Sequence, residues 1–228
     1  MRCLALLLLL LPSAAVAGAW PRAQGELYIF VSHDGFEDGW TGVFAEYGGP
    51  RNLTFGIDVG GQVVGGVAAF RRGDLEDMDL DGRAIAFVRL PLPLGRDPPG
   101  PWHAALELGA GADFDVEGAS RGAEPRGRLG LSIGRGLDTP WGGGWINLDT
   151  RIEPSRDGTR FGLGAVAGLR PLKRLTVSVG LFAEYEDETF VTFGPTLAYD
   201  VPILGEVQVG ARFSEGERRL VVGIARTF

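Results

Sequence analysis

Two chemically reactive residue types are scarce in this chain, which has one cysteine and two histidines among its 228 residues. The cysteine is Cys3, and no cysteine follows the small residues after the N-terminal apolar run, so a lipid-modified N-terminal cysteine is excluded. The histidines are His33 and His103, and no Gly-x-Ser-x-Gly segment supplies a nucleophile. We therefore expect no catalytic site and no organic cofactor.

Long hydrophobic runs are also absent, apart from one at residues 4–11. This run is too short for a membrane-spanning helix, which needs about 20 apolar residues. It follows the basic residue Arg2 and precedes small residues, as in a secretory signal peptide. The small residues that offer Ala-x-Ala cleavage sites are Ala15, Ala17 and Ala19. We expect residues 1–19 to form the signal peptide, with cleavage after Ala17 or Ala19, and residues 20–228 to form the mature domain.

Basic residues are outnumbered, since 22 Lys and Arg stand against 29 Asp and Glu, for a formal net charge of −7. Nucleic-acid binding needs a basic surface that releases counterions from phosphates, so nucleic acid is not an expected partner. No linker, low-complexity tract or shift in composition divides the chain. One domain is the simplest interpretation.

Helix signals are weak, and an alternation of apolar and polar residues takes their place. The 37 glycines are spread along the chain and disfavour helices. No long stretch shows the apolar i, i+3, i+4 spacing of an amphipathic helix. In residues 102–116, the even-numbered positions are apolar and most odd-numbered positions are polar or glycine. Such a segment is long enough to cross a bilayer as a tilted β-strand.

Similar segments recur along the whole chain, and we count twelve strands. Besides residues 102–116, their apolar faces run from Leu27 to Val31, Val43 to Tyr47, Leu53 to Val59, Ala84 to Leu90, Leu129 to Ile133, Ile146 to Ile152, Phe161 to Leu169, Leu175 to Leu181, Val191 to Leu197, Val207 to Phe213 and Leu220 to Phe228. A soluble antiparallel sandwich is the structural alternative, because it shows the same alternation. Twelve consecutive strands would be many for a sandwich.

Residues 52–70 are too long for one crossing and contain Gly60, Gly61, Gly65 and Gly66. They form either one bulged strand that extends beyond the membrane or two strands with a turn near Gly60 and Gly61. A total of twelve satisfies the even strand number of single-chain bacterial barrels. This count gives short turns on one side, such as residues 48–51 and 171–174, and longer acidic loops on the other.

The last strand is apolar on one face and closes on an aromatic residue, Phe228. Together with the signal peptide, it resembles the C-terminal signal of bacterial outer-membrane β-barrel proteins, at the level of the superfamily that includes porins. The resemblance implies an all-β fold, an antiparallel up-and-down transmembrane β-barrel of about twelve strands. It also implies the outer membrane of a Gram-negative bacterium, with both termini periplasmic.

The same resemblance implies partners. Outer-membrane lipid and lipopolysaccharide would surround the barrel, and the barrel-assembly machinery would read the C-terminal strand. Acidic external loops, such as residues 33–38 and 186–188, would face the anionic lipopolysaccharide leaflet. The oligomeric state stays open.

An outer-membrane phospholipase also resembles a twelve-stranded barrel, but it needs a serine and a histidine at the same outer rim. We expect His103 to face the lumen near the periplasmic start of a strand. His33 is expected in an external loop, where Ser32 is only its neighbour in sequence. These positions argue against an enzyme.

The polar strand faces would line the lumen, where charges must pair or be hydrated. The residues that we single out for selectivity are Glu107, Asp113, Asp149, Arg151, Glu184 and Arg212. One interpretation is a narrow passive channel for ions or small polar solutes, whose acidic excess favours cations. Inward glycines favour it by widening the bore. The other is a non-conducting barrel with a lumen closed by Arg–carboxylate pairs, which would act through its external loops.

No N-terminal plug domain is expected, because only about six to eight residues would separate the cleavage site from Glu26.

One local motif predicts a metal site. Asp77, Asp79, Asp81 and Gly82 reproduce the D-x-D-x-D-G opening of a calcium loop, in the predicted external loop after the third strand. The expected ligand would be Ca²⁺ or Mg²⁺. The twelfth position is Val88 instead of glutamate, so an acidic solvated loop remains the alternative.

Overall fold

The computed structural model of the chain describes residues 18–35, 39–73, 79–94, 102–117 and 120–228. Within these residues the backbone forms twelve β-strands, one α-helix and one turn of 3-10 helix at Pro50–Asn52. The strands are β1 (Leu27–Asp34), β2 (Trp40–Gly48), β3 (Thr54–Gly61), β4 (Asp79–Pro91), β5 (Trp102–Glu117), β6 (Ser120–Thr139), β7 (Gly142–Pro154), β8 (Thr159–Leu172), β9 (Leu175–Tyr185), β10 (Thr189–Val201), β11 (Gly205–Ser214) and β12 (Glu217–Thr227). The helix is α1 (Val63–Arg72).

The strands form one closed antiparallel barrel in which each strand pairs with its neighbours in the chain. The first and last strands close it, with Tyr28 of β1 opposite Thr227 of β12. At that seam the Leu27 N–H donates to the Phe228 carbonyl at 3.1 Å, and the Phe228 N–H donates back at 2.8 Å. Each strand therefore has a neighbouring strand on both sides, and the sheet has no edge strand. The prediction of a twelve-stranded up-and-down barrel is confirmed, and the sandwich alternative is wrong.

The outward face of the barrel is apolar along its whole circumference. Leu108 of β5 is 46% exposed, Leu148 of β7 is 45% exposed and Leu197 of β10 is 55% exposed. Aromatic side chains stand exposed near strand ends on the same face, among them Tyr47 and Tyr199. An apolar band that surrounds a closed barrel is the surface that a bilayer accepts. No helix among the described residues is long and apolar enough to span a membrane.

The region at residues 52–70 differs from both predicted interpretations. Strand β3 ends at Gly61, whose pairing partner on β4 is Gly82, and Gln62 donates its N–H to the Asp81 carbonyl at 3.0 Å. The chain then stops pairing with β4, although β4 itself continues to Asp79 in its pairing with β5. Helix α1 satisfies the backbone hydrogen bonds of this segment internally. Its first bond is from the Gly66 N–H to the Gln62 carbonyl, at 3.1 Å.

We call the barrel end that holds Leu27 and Phe228 the terminal end, and the opposite one the far end. Connections at the terminal end are residues 49–53, 92–101, 140–141, 173–174 and 202–204, and those at the far end are 35–39, 62–78, 118–119, 155–158, 186–188 and 215–216. The two predicted turns lie at the terminal end. The prediction of long loops at the far end is wrong for several connections, because strands such as β5 and β6 continue pairing up to Glu117 and Ser120.

His33 also differs from its predicted position. It lies in β1, opposite Thr41 of β2, and its Nδ1 is 3.0 Å from the Thr41 hydroxyl oxygen. The prediction of a loop position for His33 is therefore wrong. His103 faces inward near the start of β5, as predicted, next to Trp20.

Several inward glycines face a large side chain of a neighbouring strand. A Cβ atom on Gly56 would collide with the Phe87 ring, and one on Gly168 would collide with the Trp145 ring. Glycine at these positions lets the rings lie across the inner wall. The expectation that such glycines widen the bore is wrong here, because the neighbouring rings fill the space that they leave.

Candidate functional site in the barrel lumen

The lumen wall formed by β2–β8, together with residues before β1 and in the β9–β10 turn, carries a continuous network of ion pairs. Neighbouring strands place arginines beside carboxylates at successive levels, from the terminal end to the far end. The network comprises the arginines Arg22, Arg83, Arg89, Arg126, Arg128 and Arg160 and the carboxylates Glu26, Glu46, Asp58, Glu107, Asp113, Glu153 and Glu186. We call this set the arginine network. Its members neutralise one another almost completely, which makes their burial tolerable.

Two carboxylates anchor the arginine network from fully buried positions. The Glu46 side chain is 0% exposed and accepts from Arg22 Nε at 2.6 Å and Arg89 Nη1 at 2.5 Å. The Glu153 side chain is also 0% exposed, and it accepts from Arg128 Nε at 2.6 Å. Charge-assisted hydrogen bonds of this kind are among the strongest that a protein makes. This side of the lumen is therefore a packed polar core.

Two of the six predicted selectivity residues belong to this core. Glu107 accepts from Arg89 Nη2 at 2.8 Å, and Asp113 accepts from Arg126 Nε at 2.6 Å. Arginine thus pairs with Glu107 and Asp113, two of the carboxylates that the sequence predicted as a cation filter.

The other four predicted residues lie at three separate places. Arg151 of β7 and Glu184 of β9 form an ion pair with each other. Arg212 of β11 lies at the far end, with its Nη1 2.5 Å from Asp34 Oδ2. Asp149 of β7 accepts from Ser132 Oγ at 2.5 Å. The structure therefore does not bring the six together as one ring.

The N-terminal segment, residues 18–26, lies inside the barrel and belongs to this site. Its Arg22 is 6% exposed, and the Arg22 N–H donates to Thr54 Oγ1 at 3.1 Å. The guanidinium carbon lies 4.1 Å from the centre of the Tyr28 ring, within the range of a cation–π interaction. The segment thus adds its own cation to the carboxylate of Glu46 and covers part of the lumen wall.

A cavity of about 150 Å³ remains on the opposite wall, along β7–β11 near the terminal end. Uncharged polar side chains and one indole dominate its lining, and Arg170, Asp149 and Glu206 bring charge. The lining residues are Trp145, Asn147, Asp149, Val166, Arg170, Thr176, Ser178, Thr196, Ala198, Glu206 and Gln208. The lumen is therefore divided between a packed charged wall and an open polar one.

The D-x-D-x-D-G motif falls only partly within the described residues, because Asp77 lies outside them. The backbone of Asp79 and Asp81 belongs to β4 and pairs with β5. Gly82, expected at a sharp turn, also lies in this strand, so the loop placement of these residues is wrong. Within the described residues, no group of three or more His, Cys, Asp or Glu side chains is arranged to hold a metal. Metal binding at the motif stays a prediction.

Sequence reasoning missed Trp20 and Arg22 as lumen residues. They precede the first strand, so no alternation assigned them a face. It also missed the importance of neutral polar residues such as Thr176 and Gln208. Their inward direction follows from the strand period, but they carry no charge that would mark them as selectivity residues.

No family model matches the chain, and no curated protein matches its sequence. Solved structures are similar to it in fold. A structure titled KdgM porin has a TM-score of 0.62 at 12% identity, covering 88% of this chain and 99% of that one. A second, titled KdgM porin in complex with disordered oligogalacturonate, gives the same values.

An outer-membrane channel from Pseudomonas putida F1 has a TM-score of 0.50 at 10% identity and covers 95% of this chain and 100% of that one. Identities this low establish a shared fold and no shared ligand. The predicted resemblance to outer-membrane β-barrels is confirmed at that level: the chain has the fold of outer-membrane porins and channels.

Proposed function

We propose that this protein is an integral outer-membrane protein of a Gram-negative bacterium and forms a narrow passive channel for small polar solutes. The observation that carries the proposal is the polar cavity along β7–β11, inside a closed barrel with an apolar outer band. Side chains such as Asn147, Ser178 and Gln208 offer both donors and acceptors to a hydrated solute. The KdgM porin, which shares the fold, is described in complex with an oligogalacturonate. This is consistent with polar cargo.

Selectivity would come from the charges that face the cavity, in place of those in the arginine network. Glu206 and Asp149 contribute carboxylates, and Arg170 contributes a cation. Gln208 Nε2 donates to Glu206 Oε1 at 2.8 Å, which orients that carboxylate along the inner wall. A modest preference for cations over anions follows, because charge at a narrow constriction determines which ions enter.

The C-terminal strand supports insertion by the barrel-assembly machinery. Strand β12 closes the barrel against β1, and the Phe228 side chain stands 61% exposed at the terminal end. An exposed terminal aromatic is available to another protein before closure. We place the terminal end in the periplasm and the far end at the cell surface, next to lipopolysaccharide.

The test is single-channel conductance of the folded protein in a planar bilayer, with reversal potentials recorded under a salt gradient and a boiled sample as blank. Steady steps with weak cation preference are expected. Glu206→Gln should reduce that preference, whereas Glu215→Gln in the β11–β12 turn serves as the matched control. Glu107→Gln should change it less than Glu206→Gln, because Arg89 already pairs with Glu107. Anion preference in the wild type would contradict the proposed role of the cavity carboxylates.

A non-conducting barrel is the second candidate, and the packed wall favours it. The arginine network and the N-terminal segment occupy the β2–β8 side of the lumen. If a barrel shown to be folded by its gel shift on boiling gave no steps at all, the channel proposal would fail. Function would then be sought in the far-end connections.

A further inference from the structure

The first residues of the N-terminal segment pack closely against the lumen wall. Ala19 is 0% exposed, and its N–H donates to Asn147 Oδ1 at 3.4 Å. The Trp20 ring lies 5.5 Å from the His103 ring, measured between centroids. It lies over Gly134, where a Cβ atom would collide with the indole. The wall is therefore shaped to hold this segment, with glycine where the indole needs room.

Asp149 lies beside Gly18, at the start of the segment, and forms no ion pair within 4 Å among the residues that the structure describes, although Arg89 and Arg151 are near enough to act on it electrostatically. It accepts from the Ser132 hydroxyl at 2.5 Å and from the Asn147 side-chain amide. Most other carboxylates of the inner wall are paired with arginine. A carboxylate in a confined lumen needs a cation or water to offset its desolvation. Asp149 is thus an anionic site prepared for a positive group.

The backbone of Gly18 lies directly against this carboxylate. A Cβ atom built on Gly18 would be 2.5 Å from Asn147 Nδ2, 2.7 Å from Asp149 Oδ1 and 3.0 Å from Asn147 Oδ1. The Asp149 carboxylate and the Asn147 amide therefore lie next to the residue that follows the first predicted cleavage site. A side chain would not fit there, and Gly18 has a φ of +96°, which glycine adopts without strain.

We propose that Asp149 and Asn147 form a binding site for a primary ammonium group, and that its occupant is the processed N-terminus of this chain. Water hydrolyses the Ala17–Gly18 peptide bond in the active site of a signal peptidase. Ala17 keeps the carboxylate, and Gly18 gains an amine that takes up a proton. This ammonium group then pairs with Asp149 and holds residues 18–26 against the wall. The inference rests on the predicted signal peptide and is independent of channel activity.

These contacts persist in the mature chain only if cleavage precedes Gly18, and not if it falls between Ala19 and Trp20. Cleavage after Ala19 would remove both Gly18 and the N–H that donates to Asn147. It would also leave the Asp149 carboxylate without the neighbouring backbone. The N-terminal segment consequently acts as a fixed inner lining, and Glu206 is the carboxylate that remains to attract cations in the cavity.

The first test is the processing site. The full chain with its leader is expressed in a Gram-negative host and purified folded from the outer-membrane fraction, and its intact mass and N-terminal sequence are determined. A chain that begins at Gly18 is expected. A chain that begins at Trp20, or one that keeps its leader, would overturn the inference.

The second test is the reactivity of the amine, for which the chain supplies its own reference. After cleavage only two amines remain, the α-amine of Gly18 and the side chain of Lys173, which is the sole lysine. Lys173 is exposed in the β8–β9 turn. With acetic anhydride and peptide mapping, Gly18 should react at least tenfold more slowly than its own rate in the urea-unfolded chain. Lys173 should react similarly in both states. Equal rates for Gly18 in both states would contradict the site.

Burial alone would also slow the reaction, so the pH profile distinguishes an ion pair from simple occlusion. A free α-amine titrates at about 7.7–8.0. Pairing with a carboxylate raises that midpoint, whereas burial without a partner lowers it. The labelling rate of Gly18 in the folded barrel should reach half its maximum above pH 8. A midpoint below that of the free amine would refute the ion pair.

Matched variants complete the test. Asp149→Asn should lower the pH at which the Gly18 amine reaches half its maximal labelling rate, and it should increase that rate in the folded barrel. Asp149→Glu, which keeps the carboxylate, should show the wild-type pH profile. Asp200→Asn, on β10, is the control and should change neither quantity. If Asp149→Asn did not fold, the wild-type profile would still decide the outcome. A folded Asp149→Asn barrel with an unchanged profile would show that another group binds the amine.

Discussion

Removal of the Glu46 carboxylate should destabilise the barrel more than almost any other single change to the lumen. The Glu46 side chain is 0% exposed and bridges Arg22 and Arg89, whose side chains are 5% and 6% exposed. Glu46→Ala leaves both guanidinium groups buried with one carboxylate contact each, to Glu26 and Glu107. Breaking a buried ion pair by removing one partner costs about 3–5 kcal/mol.

The expected loss of stability is directly measurable. At a urea dependence of about 2 kcal/mol per molar, a cost of about 4 kcal/mol lowers the unfolding midpoint by about 2 M. The assay is equilibrium unfolding in lipid vesicles, followed by the shift in gel mobility between folded and unfolded barrel. Glu215→Ala, an exposed residue in the β11–β12 turn, is the control. Its free energy of unfolding should stay within about 0.5 kcal/mol of the wild-type value, as is usual for surface substitutions.

Loss of the Glu46 carboxylate should also loosen the N-terminal segment. Because Arg22 belongs to the N-terminal segment, its release should increase protease cleavage near residues 18–26 in Glu46→Ala but not in Glu215→Ala. A destabilisation below about 1 kcal/mol would refute the argument, since it would match the value of a solvated surface pair. The arginine network would then be hydrated instead of packed.

Three further changes test other parts of the structure. Gly56→Leu should destabilise the barrel by about 1–3 kcal/mol in the same unfolding assay, because its side chain collides with Phe87; an unchanged midpoint would contradict the packing of the inner wall. Arg212→Ala should cost less than about 1 kcal/mol, because its side chain is 50% exposed and pairs with Asp34 only at the far end; a larger loss would mean that the seam depends on this pair. Trp145→Ala should raise single-channel conductance without altering ion preference, because an uncharged ring that lines the cavity is removed; an unchanged conductance would place the path elsewhere.

Alternation along the chain predicted the strands and their faces, while the aromatic C-terminus and the signal peptide favoured a barrel over a sandwich. The period of two assigned an inward and an outward face to segments such as residues 102–116, and the apolar faces identified are the exposed ones in the structure. This information is local, because successive strand residues point to opposite sides wherever the strand lies. Antiparallel hairpins then need only short connections, so chain order gives strand order. The strand count was confirmed for the same reason.

Local alternation did not locate the end of β3 or the helix that follows it. Residues 63–72 are rich in valine and glycine, which disfavour helices in isolation. Their conformation depends on whether their backbone continues to pair with β4. Only the register between β3 and β4 determines that this pairing stops at Gly61 and Gly82.

The strand period predicted which residues face the lumen, but it did not predict which charged residues pair with one another. The sequence by itself determined that Glu107, Asp113 and Asp149 face the lumen, because strand period fixes the side of each residue. Only the tertiary structure decided that arginines pair with the first two and that Asp149 lies beside Gly18, since those partners come from other strands and from a segment without alternation. Whether a charge is free depends on distances across the barrel, and these are set by closure and register.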